Sequence, residues 1–180
     1  MPNDMSADFA TQDVQTKNIA VGGPLDLTEF LQGQSSAWGI FEDRFGKLRR
    51  TFIVELDGAW QGHDFVLNES FVFDDGERMH RVWRITPTSD GKFKAHADDV
   101  IGEAEGWTDG DAVRLSYDFM LRMGKNELSV RFSDRFYRVD THNLMNKATL
   151  SKWGVTLGEM TIFFQRANND VGSTQTPIAA

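Results

Sequence analysis

The sequence predicts an all-β domain: an antiparallel up-and-down β-barrel with a short N-terminal helix. Three observations predict it. From Ala37 onward, short runs of alternating apolar and polar residues follow one another between turn signals. Asp-Gly pairs recur at the joints, at Asp57–Gly58, Asp75–Gly76, Asp90–Gly91 and Asp109–Gly110, and such pairs suit hairpins because they tolerate positive φ. No connection is long enough for a crossover helix, so neighbouring strands run antiparallel. Many strands without covering helices close on themselves, because closure removes exposed edges. A two-sheet sandwich is the rival architecture.

The elements follow in order. Residues 1–23 are polar and aperiodic and read as a tail. The barrel domain is expected over residues 24–166. Asp26 or Thr28 caps a helix whose Leu27, Phe30 and Leu31 share one face, and Gly33 ends it. Such a helix can plug a hole but cannot build a bundle. Strands are then expected where alternation is clear, with Lys92–Val100 and Ile101–Trp107 as consecutive runs and Glu127–Asp134 and Phe136–Asp140 as two more. The last run, from Val155, is apolar on both faces and is expected to be pressed between barrel and helix. Residues 167–180 read as a second tail.

Composition narrows the function. The chain has 180 residues and a formal net charge of −8, which suits one domain and disfavours a nucleic-acid partner. Arg49–Arg50 reads as a solvated strand edge. There is no cysteine, so disulfides, thiolate metal sites and a thiol nucleophile are excluded. No apolar run is long enough for a transmembrane helix. The N-terminal residues lack the basic and apolar regions of a signal peptide, which points to a cytoplasmic address. A periplasmic or envelope address is the alternative if a leader has been removed.

Alternate residues from Phe65 are Phe65, Leu67, Glu69, Phe71 and Phe73, so a carboxylate stands in the middle of an apolar face. A buried carboxylate costs several kcal/mol, roughly, unless paired or hydrogen-bonded. The same phase on the other strands brings Arg81 and Trp83, Asp99, Tyr117 and Phe119, Asp134, and Asn146 to the inside. Glu69 and Arg81 are expected to be neighbours across the hairpin at Asp74–Gly76. Two readings stay open. The polar groups are structural pairs and strand ends, or they line a mostly apolar cavity with a few polar anchors. Ala95 and Ala97 leave room inside, either for a ligand or for a large neighbour such as Trp83.

The candidate ligand-binding residues are therefore Glu69, Arg81, Trp83, Tyr117, Asp134, Phe71, Phe119, Asp99 and Asn146. The expected partner is a small hydrophobic or amphipathic molecule, lipid or fatty-acid-like. An enzyme using the interior carboxylates and a structural protein with a filled core are the alternatives. His63, His80, His96 and His142 fall on separate segments without metal-ligand spacing, so no metal or other cofactor is expected.

Two resemblances add to this. Phe30-Leu-Gln-Gly33 leading into Ala37-Trp38-Gly39 resembles the start of lipocalin and other calycin barrels. That resemblance implies that Arg166, on the last strand, packs on Trp38. Over about residues 27–166 the chain resembles the bacterial family known as domain of unknown function 3833. The resemblance rests on Trp38-Gly39-Ile40-Phe41-Glu42-Asp43-Arg44, on Glu69-Ser70-Phe71-Val72-Phe73-Asp74-Asp75-Gly76-Glu77, on Arg81-Val82-Trp83-Arg84-Ile85 and on Ser151-Lys152-Trp153-Gly154-Val155. It implies the barrel fold and brings no activity with it.

Overall fold

The computed structural model describes residues 25–89, 91–123 and 126–167. The tails expected over 1–23 and 167–180 lie outside the described residues, apart from Ala167. Asp26 starts helix α1 (Leu27–Leu31) by accepting hydrogen bonds through Oδ1 from the backbone N–H of Thr28, at 2.9 Å, and of Glu29, at 3.1 Å. These are donors with no partner inside the helix. Leu27, Phe30 and Leu31 are buried.

Ten strands follow: β1 (Gly33–Asp43), β2 (Leu48–Gln61), β3 (Asp64–Phe73), β4 (Arg78–Pro87), β5 (Lys92–His96), β6 (Val100–Asp109), β7 (Ala112–Met123), β8 (Asn126–Arg138), β9 (Asn143–Lys152) and β10 (Val155–Arg166). Each pairs with the next in sequence, and β10 pairs antiparallel with β1, so the sheet closes into an up-and-down barrel. The sandwich is thereby excluded. α1 covers one end. The turns β1–β2, β3–β4, β5–β6 and β9–β10 lie at the other.

Register carries the inward phase from strand to strand. Phe52 faces Phe73, Leu56 faces Glu69, and Glu69 faces Arg81. Leu115 faces Asp134, which faces Ala148, which faces Met160. Several inward positions carry almost no side chain. Ala37, Ala95, Ala104 and Ala148 are buried. A Cβ at Gly39 would overlap the ring of Phe52, and one at Gly106 the ring of Phe93. These sites let rings lie flat on the wall and keep bulk out of the centre.

The structure corrects five expectations. Asp57–Gly58 is not a turn: β2 continues to Gln61, and the reversal comes at Gly62 with φ 66°. Gly58 is there for closeness, since a Cβ would overlap the Leu31 carbonyl oxygen and the Phe65 ring. Residues 97–99 form the β5–β6 turn, closed by the Val100 N–H donating to the Ala97 carbonyl at 3.0 Å. β8 runs unbroken to Arg138, so the two runs expected there are one strand. β10 is part of the barrel wall: Met160, Ile162 and Phe164 face the interior, while Phe163 packs outside against Trp38 at 6.4 Å. Finally, Arg166 does not pack on Trp38. Trp38 points outward and is 43% exposed. Arg166 pairs with the buried Ser35 and places its guanidinium 5.8 Å from the ring centre of Phe30, against the helix.

Candidate functional site

The barrel encloses a cavity of about 720 Å³. It runs from Leu27 and Leu31 of α1 to Arg50, Phe73, Glu77 and Asp98 beside the turns at the opposite end. All nine residues selected from the sequence line this one cavity. That volume is in the range of small-molecule sites, and a mostly apolar wall with few polar groups is how such sites are built.

Arg81 organises the middle of the cavity. Its Nε and Nη2 each lie 2.9 Å from Oδ2 of Asp99, which arrives from the β5–β6 turn. Glu69, directly across the β3–β4 pair, is a looser partner, with Oε2 3.9 Å from Nη1. Three rings surround the guanidinium: Phe119 at 5.1 Å, Phe71 at 5.5 Å and Trp83 at 5.8 Å to the ring centres. A cation over ring faces gains electrostatic energy where water is scarce.

Nearer α1, Asn146 donates through Nδ2 to Oδ1 of Asp134 at 3.1 Å. Asp134 and Asn146 sit diagonally on β8 and β9, because Asp134 faces Ala148 while Phe136 faces Asn146. Tyr117 lies between the two groups. Its ring stacks on Phe132, with centres 5.1 Å apart, and meets Trp83 edge-on at 5.3 Å.

Burial shifts the acids. It lifts Glu69 to about 6, against the opposing pull of Arg81 and of a hydrogen bond from Trp83. It lifts Asp134 to about 7, with the Asn146 hydrogen bond and Arg81 working the other way. Burial, then the charge of Asp134, pushes Tyr117 well above its ordinary value. Among the described residues, Glu69 Oε2, Asp99 Oδ1, Asp134 Oδ2 and Asn146 Oδ1 are buried without a hydrogen-bond partner. All four are acceptors.

The sequence reading missed Arg50. It lines the cavity mouth, with its guanidinium 3.6 Å from the ring centre of Phe73 and hydrogen bonds to Asp75 and Glu77. The signal was present, since Arg50 shares the inward phase of Phe52, Val54 and Leu56. His63, His80, His96 and His142 are all exposed. Among the described residues, no helix is long and apolar enough to cross a membrane.

The model of the family described as protein of unknown function (DUF3833) matches residues 7–166. The chain belongs to the DUF3833 family. No curated protein sequence matches it. Among solved structures, it is similar to the S-type phycobiliprotein lyase CPES from Guillardia theta, with TM-score 0.59 and 10% identity over 78% of this chain and 90% of that one. It is also similar to Rv2717c from M. tuberculosis, with TM-score 0.56 and 12% identity over 79% and 99% of the two chains. A third similar structure is a DUF3598-family protein of unknown function from Nostoc punctiforme PCC 73102, with TM-score 0.55 and 11% identity over 81% of this chain and 51% of that one. At such identities the likeness of this DUF3833 barrel to them is one of fold.

Proposed function

We propose that the barrel binds a small amphipathic, lipid-like molecule, with its apolar part along Phe71, Trp83 and Phe119 and its polar end at the Arg81 and Asp134 groups. The observation that carries this reading is the cavity of about 720 Å³ inside the barrel, lined by apolar side chains and by charged groups that a packed core would exclude. Ala95, Ala104 and Ala148 help to keep it open. The arrangement needs no metal and no covalent step.

Native mass spectrometry of the protein purified from cells tests the proposal. A retained small molecule is expected. It should be reduced in Ala95→Leu, which narrows the cavity, and lost in Arg81→Ala, with circular dichroism confirming the fold of each. A ligand-free protein that shows no uptake from a lipid extract, or undiminished retention in both variants, would refute it.

The lifted carboxyls of Glu69 and Asp134 favour a second reading, in which one of them moves a proton on the bound molecule. Unchanged mass and structure of the ligand after prolonged incubation would exclude that.

A further inference from the structure

The polar end of the cavity has an inverted character for a fatty-acid carrier. The guanidinium of Arg81 is already engaged by Asp99 at 2.9 Å and faces Glu69 at 3.9 Å, and that of Arg50 at the mouth is engaged by Asp75 and Glu77. Two carboxylates therefore surround one cation before any ligand arrives, and Asp134 adds a third acid deeper in. Among the described residues, the cavity-lining side chains with a buried, unpartnered polar atom all present an acceptor there: Glu69 Oε2, Asp99 Oδ1, Asp134 Oδ2 and Asn146 Oδ1. Asp134 and Asn146 are only 7% and 1% exposed, and both line the cavity. Stranding such an acceptor is costly, and more so for a charged group. A ligand oxygen bearing negative charge would add another acceptor and meet two or three carboxyls. A donor would satisfy acceptors and reduce the excess negative charge.

We propose, building on the ligand-binding reading above, that the cavity selects an amphipathic cation: an alkyl chain ending in an ammonium group that donates hydrogen bonds to Glu69, Asp134 and Asn146. The rings of Trp83 and Tyr117 stand beside these acceptors and give the ammonium aromatic surface as well. Arg81 then holds the cluster in shape through Asp99 and does not serve as the anchor for the ligand. The site discriminates against carboxylates by leaving them without a free cation, a specificity made from repulsion as much as from attraction.

Isothermal titration at pH 7.5 with dodecylamine, dodecanol and dodecanoate, each below its micelle concentration, tests this. Dodecylamine is expected to bind at least tenfold more tightly than dodecanoate, with dodecanol between them. Glu69→Gln and Asp134→Asn, which keep shape and remove charge, should each weaken dodecylamine about tenfold and dodecanol by a clearly smaller factor. Dodecanoate binding as tightly as dodecylamine, or an amine affinity indifferent to both substitutions, overturns the head-group assignment while leaving the cavity as a ligand site. Failure of all three probes to bind overturns the assignment together with the ligand-binding reading.

Discussion

Arg81 holds Asp99 at 2.9 Å more tightly than it holds Glu69 at 3.9 Å, although Glu69 is its direct neighbour across the β3–β4 pair. The closer partner comes from a turn, and the guanidinium ties that turn to the barrel wall. Removing the cation leaves two acids facing each other with little solvent. Arg81→Met is therefore expected to lose about 3–5 kcal/mol of stability at pH 7.5 by urea denaturation. The triple variant Arg81→Met with Glu69→Gln and Asp99→Asn should recover most of it. Equal stability of the single and triple variants would show that the charges were not the cause.

Glu69 and Asp134 make the stability depend on pH in an unusual direction. Their folded values are raised, from 4.5 to about 6 and from 3.8 to about 7, first of all by burial. A raised acid favours the folded state below its unfolded value, and that contribution is lost as pH rises through the folded value. Between pH 4 and pH 8 the two should together remove of the order of 2–5 kcal/mol. Asp43, Asp64, Asp75, Asp118 and Asp140 are lowered and act oppositely, with stability lost as pH falls below about 3.8. The denaturation midpoint should therefore peak near pH 4–5, on the scale of these values. It should fall less steeply toward pH 8 in Asp134→Asn, and an identical slope in that variant would contradict the assignment.

At Gly58 the wall leaves no room for a side chain beside the helix backbone. Gly58→Ala places a methyl group against the Leu31 carbonyl oxygen and the Phe65 ring, both set by buried neighbours. Such overpacking costs roughly 1–3 kcal/mol, occasionally more. Hydrogen exchange should show faster exchange at the N–H of Phe30, which donates to the Asp26 carbonyl. Unchanged protection there would mean that the helix does not rest on Gly58.

Trp153 sits at φ 51° in the β9–β10 turn and is 93% exposed. With Gly154 at φ 78°, both residues of this two-residue turn have positive φ, a geometry in which asparagine is preferred at the first position. The left-handed conformation costs an ordinary side chain about 1–2 kcal/mol. The exposed ring gives little back beyond its contact with the Lys152 ammonium, 4.7 Å from its centre. Trp153→Asn should raise stability by about 0.5–1 kcal/mol by that argument. Lower stability in thermal melts would show that the indole contributes more than its exposure suggests.

Alternation by itself determined which side chains face inward. Because a strand exposes its faces with period two, the phase that gathers Phe52, Val54 and Leu56 also places Glu69, Arg81, Tyr117, Asp134 and Asn146 inside, and closure follows from the lack of covering helices. Asp99 was legible only by extending a strand that in fact ends at His96. Tertiary structure decided the rest. It chose Asp99 over Glu69 as the tight partner of Arg81, because a turn can bend toward a cation while a paired strand cannot shift. It turned Arg50 into the cavity mouth and moved Arg166 from Trp38 to Phe30. Above all it left the centre open, which depends on how far apart ten walls stand once small residues such as Ala95, Ala104, Gly106 and Ala148 are distributed around them. Periodicity fixes direction along one strand, whereas the distance across a closed barrel is a property of all the strands together.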